Sequence, residues 1–311
     1  MTKVNYAVAD RDLKYYIFDW DDNILHMPTR IHLERRTETG EWVPHAVSTA
    51  AFSVIRTDTE NFRPPNGDWE NAFVEFRDVD DDDDDENVFL RDTRTAFDRV
   101  MSGDGEHAPS FWRFRQALIE GRLIAIVTAR GHNPAIIREA VEYFIERVLT
   151  DEERATMLEN LRGYMKSFAP SENTENDEDV LAYYLDHNKY HGVMSPDFKS
   201  HVKGAHGGAA QNPEEGKQFA IRDFVEHVIH IANLRGLHKP ISVGFSDDDV
   251  ANAKAVEEYI RVELSREFPA VKFVIYYTSD PEQPSGRKVV VQGQLTLDFN
   301  SDEHRSSNIE H

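Results

Sequence analysis

The sequence predicts an α/β protein built on a doubly wound parallel sheet, that is, a Rossmann-like arrangement. Apolar runs of strand length at 16–18, 122–128 and 241–245 each end abruptly in polar residues, and amphipathic helical patterns follow the second and third runs. A further apolar run at 271–277 closes the series. Strands that alternate with helices favour a parallel sheet, and such sheets bind ligands at the carboxyl ends of their strands.

The first strand delivers two acids, Asp19 and Asp21, immediately after its apolar residues. Side chains alternate along an extended chain, so we expect these two carboxylates to point the same way. Carboxylates so close repel each other unless a cation lies between them, and Mg²⁺ is a hard cation that suits oxygen ligands. For this segment alone, a strand followed by an acidic surface turn is the alternative.

The second strand ends in a hydroxyl group, that of Thr128. Asn133 and Pro134 suit the N-cap and first position of the helix that follows. Arg130 and His132 lie between strand and helix, close enough to Thr128 to contact a substrate. The alternative interpretation is a plain loop arginine and a solvated histidine.

The third strand leads into three consecutive acids, Asp247, Asp248 and Asp249. Asp247 comes first after the strand and is the preferred metal ligand, with Asp248 second. Asp249 serves equally well as the N-cap of the next helix. Lys217 opens the long amphipathic helix before this strand; Lys199 and Lys203 compete with it for a role at the site.

Together these motifs resemble the haloacid dehalogenase (HAD) superfamily. Its members carry an Asp-x-Asp after the first strand, a Ser or Thr after the second, a Lys at a helix start and acids after a later strand. The resemblance covers 12–25, 108–150 and 212–280, which implies a core formed by 1–25, 106–150 and 212–283. Asp22 and Asn23 depart from the usual Gly followed by Thr or Val, and Phe245 follows Gly244 where a Gly-Asp pair is common.

The resemblance implies a Mg²⁺-dependent phosphomonoester hydrolase that works through an aspartyl-phosphate intermediate. Asp19 is then the nucleophile, and Asp21 protonates the leaving oxygen and activates water. Thr128 and Lys217 bind the phosphoryl oxygens. The implied metal ligands are Asp19, Asp21, Asp247 and Asp248.

The expected substrate is a small phosphometabolite or a nucleotide. One alternative is a polynucleotide-end (3′-) phosphatase of nucleic-acid repair. Another is a non-catalytic binding protein on the same fold, which the unusual Asp22, Asn23 and Phe245 suggest.

Two insertions interrupt the predicted core. Residues 26–105 resemble a cap, with extended segments at 42–47, 51–56 and 72–77 and six consecutive acids at 80–85. These acids suit Ca²⁺ or a basic partner, but without a Gly-spaced ligand pattern a solvated loop is favoured. Residues 151–211 form a second, mainly helical and flexible insertion. Its histidines raise the possibility of a metal site, although their irregular spacing favours a flexible loop: His187, His191, His201 and His206.

The tail, 284–311, contains Gln294 to Phe299, which resembles the short peptide that docks DNA-metabolism proteins on the sliding clamp. The favoured alternative is an edge strand that continues 289–291. A net charge of −22 disfavours extended contact with a nucleic-acid backbone, except at an end that serves as substrate. The absence of cysteine excludes disulfides and thiolate metal sites. Without an apolar signal core or a membrane span, a cytoplasmic enzyme is expected.

Overall fold

Six strands form one central sheet in the order β6-β5-β1-β7-β8-β9. The computed structural model describes residues 13–78, 86–169, 171–206, 212–234, 236, 239–279 and 287–292. The sheet strands are β1 (Leu13–Phe18), β5 (Ile124–Thr128), β6 (Lys189–Gly192), β7 (Ile241–Asp247), β8 (Val271–Tyr277) and β9 (Arg287–Gln292). Only β9 runs antiparallel to its neighbour in this sheet. The predicted α/β class with a mostly parallel sheet is confirmed.

Helices cover both faces of this sheet, which explains why every residue of β5 is buried. On one face lie α3 (Val88–Ser102), α4 (Phe111–Ile119), α5 (Pro134–Val148), α6 (Asp151–Phe168) and α7 (Asp177–His187). On the other lie α8 (Pro196–His206), α9 (Pro213–Leu234) and α10 (Val250–Tyr259). A π turn over Ile260–Leu264 and the short α11 (Ser265–Glu267) lead from α10 to β8.

Aromatic side chains fill the core between β1 and the first helical layer. The ring of Phe114 on α4 lies 5.3 Å from Phe18, 6.1 Å from Trp20 and 4.7 Å from Phe144, each in an edge-to-face arrangement. Such pairs add to the free energy gained by burying the rings. They anchor the end of β1, where the chain passes into its acidic motif.

A small antiparallel sheet in the order β3-β2-β4 stands apart with a core of its own. We call residues 31–76 the small-sheet module. It contains β2 (Ile31–Arg36), β3 (Trp42–Val47), α1 (Thr49–Ile55), β4 (Phe62–Arg63) and α2 (Trp69–Ala72), with 3-10 turns at Pro65–Gly67 and Val74–Phe76.

The predicted insertion 26–105 therefore contains two different parts. The small-sheet module has its own core, whereas α3 buries Phe89 and Phe97 in the main core. Residues 51–56 and 72–77 were expected to be extended. That expectation is wrong for 51–56, because Ser48 caps a helix at 49–55, and for 72–76, where α2 ends at Ala72 before a 3-10 turn at 74–76. The acids 80–85 lie outside the described residues.

The described part of the second predicted insertion, 151–211, belongs to the main layers. Strand β6 extends the central sheet beside β5, and α6 and α7 pack into the first core cluster. His191 and His201 lie 3.3 and 3.8 Å from the carboxylate of Asp223 on α9, and Lys189 lies 3.5 Å from it. These side chains tie β6 and α8 to α9 and do not belong to a free loop, a long-range pairing that histidine spacing does not reveal.

The tail contributes β9 as the edge strand beside β8. Gln294 to Phe299, the predicted clamp-docking peptide, lie outside the described residues. Among the described helices, none combines the length and the apolar character that crossing a membrane requires.

A close approach of α9 to β6 requires glycine at position 216. A Cβ added to Gly216 would lie 2.7 Å from Cβ and 2.9 Å from Cγ2 of Val193. Both distances are too short, so the amino end of α9 would have to move. Lys217 is the next residue, and its position depends on this contact.

We predict that Gly216→Ala destabilises the protein by about 1–3 kcal/mol, because the added methyl group overpacks the contact with Val193. Gly204→Ala is the matched control: it also lies in a helix, α8, but has no atom within 4 Å of the added Cβ. We expect the control to be neutral or stabilising by about 0.5–1 kcal/mol. Urea denaturation followed by circular dichroism measures both; equal changes in the two variants would contradict the packing argument.

Candidate active site

Three neighbouring strands end side by side, and a polar residue lies at or directly after the carboxyl end of each. Asp19 follows β1, Thr128 ends β5 and Asp247 ends β7. The strands are parallel and in register, and the backbone N–H of Asp19 donates to the carbonyl of Ser246 at 3.1 Å. The carboxyl edge of the sheet therefore gathers groups that lie more than a hundred residues apart in the chain.

Three carboxylates converge at this edge: Asp19, Asp247 and Asp248, whose ligand oxygens all lie within 4.8 Å of one another. We call them the acidic triad. Asp19 and Asp247 are buried and Asp248 is half-buried. Asp249, the remaining acid of the cluster, caps α10 by accepting hydrogen bonds from Ala251 N and Asn252 N.

Lys217 reaches the triad from the first turns of α9. Its Nζ donates to Oδ1 of Asp19 at 3.1 Å and to Oδ2 of Asp247 at 2.6 Å, and its side chain is only 1% exposed. The preference for Lys217 over Lys199 and Lys203 thus agrees with the geometry. A buried ammonium that bridges two buried acids links α9 to the ends of β1 and β7.

Burial dominates the electrostatics of the triad. Burial raises the pKa of Asp19 to about 8 against the opposing effect of Lys217. Burial and the charge of Asp19 raise the pKa of Asp248 well above its usual range, and burial also raises the pKa of Asp247. For Lys217, the nearby acids outweigh burial and raise its pKa. Three carboxylates face one ammonium, so further positive charge is needed to stabilise their ionised forms.

This donor set fits a hard divalent cation. Carboxylate oxygens are the ligands that Mg²⁺ prefers, and it is held by one or two carboxylates in many phosphate-handling sites. Asp19, Asp247 and Asp248 are the residues that would hold it.

Asp21 has different surroundings and is not part of the acidic triad. Its Oδ2 accepts from Nε of Arg130 at 2.8 Å and its Oδ1 from Nη2 at 2.6 Å; Thr128 Oγ1 lies 3.4 Å from Oδ2. The expected metal ligation through Asp21 is therefore corrected. Strand β1 ends at Phe18 and the chain turns through Asp22, whose φ is +51°, so the alternation of a strand does not extend to residue 21.

Arg130 and His132, the expected substrate contacts, are both buried inside the protein. The side chain of Arg130 is 1% exposed and is occupied by Asp21. The ring of His132 stacks on Phe89 at 5.2 Å, and burial together with the charge of Arg130 lowers its pKa to about 4. Neither side chain is presented at the surface: Gly131 N–H donates to the Phe76 carbonyl of the small-sheet module at 2.7 Å, and His132 packs on α3.

Sequence reasoning treated Asn23 only as a departure from the family pattern, yet it holds the site together. Its fully buried Nδ2 donates to the carbonyls of Asp19 at 3.0 Å and Ser246 at 3.2 Å. Its Oδ1 accepts from Ser110 Oγ at 2.8 Å and Thr278 Oγ1 at 2.9 Å. The one signal in the sequence is an amide that directly follows the acidic motif.

Comparison of the chain with protein-family models, with curated proteins and with solved structures found no match.

We predict that Asn23→Ala destabilises the protein by about 3 kcal/mol or more, because it leaves several buried groups without partners, each at a cost of about 1–3 kcal/mol. The exposed Asn71, which donates only to Asp68 at 3.4 Å, provides the matched control Asn71→Ala. Chemical denaturation should give a change within about 0.5 kcal/mol for this surface substitution. A loss at Asn23 no larger than at Asn71 would show that its network contributes little.

We also predict that Mg²⁺ raises the stability of the folded protein, by about 2.7 kcal/mol at a concentration one hundred times its Kd. Asp248→Asn should abolish most of this gain. The same substitution should not destabilise the metal-free protein, since it removes a carboxylate that its neighbours disfavour. Thermal unfolding with and without Mg²⁺ measures both effects, with Asp98→Asn on the exposed face of α3 as the control. An equal response to Mg²⁺ in both variants would count against the triad as the metal site.

Proposed function

We propose that this protein is a Mg²⁺-dependent phosphomonoester hydrolase that acts through an aspartyl-phosphate on Asp19, as a HAD-like phosphatase does. The observation that carries the proposal is the bridge from Lys217 to Asp19 and Asp247. An oxygen of Asp248 lies within 4.8 Å of an oxygen of each of these two acids. An ammonium and several carboxylates buried at one edge of a parallel sheet suit the transfer of a dianionic group. The sequence resemblance supports the same assignment.

In this proposal, Asp19 is the nucleophile. One oxygen of its carboxylate attacks phosphorus, and the bond from phosphorus to the leaving oxygen breaks. Lys217 and the Thr128 hydroxyl are the nearby donors for the charge that develops on the phosphoryl oxygens. Asp19, Asp247 and Asp248 would hold the Mg²⁺, whose charge would allow an anionic nucleophile to approach an anionic phosphate.

Asp21 is the proposed proton-transfer group. In its protonated form, with one oxygen released from Arg130, it would supply a proton to the leaving oxygen in the first step. In the second step it takes a proton from the water that attacks the aspartyl-phosphate, and this step releases inorganic phosphate and restores Asp19. Its carboxylate lies beside Thr128, 3.4 Å from Oγ1, which keeps it near the proposed phosphoryl position.

The proposed substrate is a small phosphometabolite or a nucleotide. Two contacts of the small-sheet module support this choice: Thr49 donates to Asp22, and Arg56 lies 3.7 Å from Asp249. Both place α1 beside the acidic motifs, where it restricts the space for a large substrate. The net charge of −22 also disfavours an extended polyanion.

We predict that the wild-type protein hydrolyses p-nitrophenyl phosphate in the presence of Mg²⁺ and that Asp19→Asn lowers kcat by about 10³-fold or more, since the amide cannot form the intermediate. Asp98→Asn should retain wild-type turnover. Circular dichroism and thermal unfolding confirm that each variant is folded. Undiminished turnover by folded Asp19→Asn would exclude Asp19 as the nucleophile.

A further inference from the structure

Arg130 has an extensive set of contacts that the proposed chemistry does not use. Its guanidinium holds both oxygens of Asp21, and Nη2 also donates to Thr29 Oγ1 at 2.7 Å. Thr29 in turn donates to Oδ2 of the buried Asp92 at 2.6 Å. Thr29 and Asp92 thus hold the Arg130 side chain in the position from which it binds Asp21.

The same side chain contacts the small-sheet module. Its guanidinium carbon lies 4.5 Å from the ring centre of Phe76, and Nη1 donates to the carbonyl of Glu75 at 3.4 Å. The next residue, Gly131, donates its backbone N–H to the Phe76 carbonyl at 2.7 Å. Phe89 on α3 lies 4.9 Å from the guanidinium carbon, so aromatic rings of the module and of the main core both pack on it.

These contacts fix the orientation of Asp21. A guanidinium is planar and matches a carboxylate through two parallel hydrogen bonds, which sets both the position and the rotation of the acid. A buried charge of this kind persists only when it is paired and hydrogen-bonded, and Arg130 meets both conditions. An isolated loop arginine that waits for a substrate would not have its donors occupied in this way.

We propose that Arg130 is a positioning residue: it holds the Asp21 carboxylate where it receives a proton from the attacking water, and it makes that placement depend on the docked small-sheet module. This inference rests on the proposed phosphatase function. It replaces the expectation that Arg130 contacts the substrate, and it identifies contacts through which the module influences the chemistry.

The two chemical steps depend differently on Asp21 when the substrate is p-nitrophenyl phosphate. In the first step, the Asp19 oxygen bonds to phosphorus and p-nitrophenolate departs with its electron pair, so no proton is needed. In the second step, the water oxygen bonds to phosphorus, its proton passes to Asp21, and the bond from phosphorus to Asp19 breaks. A misplaced Asp21 therefore slows the second step selectively.

The test is rapid-mixing kinetics of Arg130→Gln, Arg130→Lys and Thr29→Val with p-nitrophenyl phosphate and Mg²⁺. We expect Arg130→Gln to release a burst of p-nitrophenolate close to the enzyme concentration, followed by a steady state about 10²-fold slower than wild type, within the range typical of proton-transfer catalysis. Arg130→Lys should recover only part of the rate, because an ammonium cannot form the two parallel bonds. Thr29→Val should show the same pattern more weakly.

The matched control is Arg94→Gln. Arg94 also lies over an aromatic ring, 5.4 Å from the centre of Tyr143, and pairs with acids, but its side chain is 44% exposed on α3, away from Asp21. We expect its burst and steady state to match those of the wild type.

Other outcomes would overturn the inference. A raised KM with unchanged kcat would make Arg130 a substrate contact, and equal slowing of burst and steady state would make its role only structural. Where Arg130→Gln fails to fold, Thr29→Val decides: a wild-type ratio of burst to steady-state rate in this variant contradicts positioning through Arg130. Failure of the proposed function is recognised separately, because wild-type protein would then release no p-nitrophenolate or would do so without Asp19.

Discussion

The structure depends on one buried interaction, the ammonium of Lys217 between the carboxylates of Asp19 and Asp247. Buried charges are tolerated only when they are paired and hydrogen-bonded. The bridge therefore requires α9, β1 and β7 to lie close enough for Nζ of Lys217 to reach both carboxylates. Gly216 permits the approach by leaving room for Val193. Nδ2 of Asn23 donates to the carbonyls of Asp19 and Ser246 and so joins the ends of β1 and β7. The same contacts therefore determine the geometry of the candidate site and the packing of this edge of the sheet.

Local sequence signals located the parts of this edge correctly where strand and cap chemistry determine the outcome. Strands β1, β5 and β7 follow from apolar runs that end in polar residues, and Asn133 and Asp249 cap the helices for which their short side chains suit them. Lys217 was identified by its place at a helix start before a strand. For the strands and caps the deciding interaction lies within a few residues, so a sequence pattern carries it; for Lys217 the pattern gives the position at the start of α9, whereas its contacts with Asp19 and Asp247 are long-range.

The features that were not predicted depend on contacts between segments far apart in the chain. No local pattern in a single sequence reveals such contacts. The strand β6 was missed because its short run is half polar and becomes a strand only by pairing with β5. Helix α3 was assigned to a cap, although its buried Phe89 and Phe97 belong to the main core. Asp21 was expected beside Asp19 because strand alternation was extended past Phe18, and the partner that captures it, Arg130, lies 109 residues away.

The residues that depart from the HAD pattern, which the sequence resembles, belong to supporting contacts and not to the acidic triad. Asp22 adopts φ +51°, a left-handed conformation that Asp tolerates better than most residues, and its carboxylate accepts hydrogen bonds from Thr49 of the module and from His26 at 2.9 Å. Asn23 stands where the pattern has Thr or Val, and its amide joins the segments of Asp19, Ser110, Ser246 and Thr278. Phe245 is buried in the core between the sheet and α9. Asn23 joins the segments that carry Asp19 and Asp247, which together with the half-buried Asp248 form a crowded set of carboxylates whose charges destabilise one another. A cation bound among them would offset this repulsion, and the hydrolase proposed above is a function that would use such a cation to receive an anionic substrate.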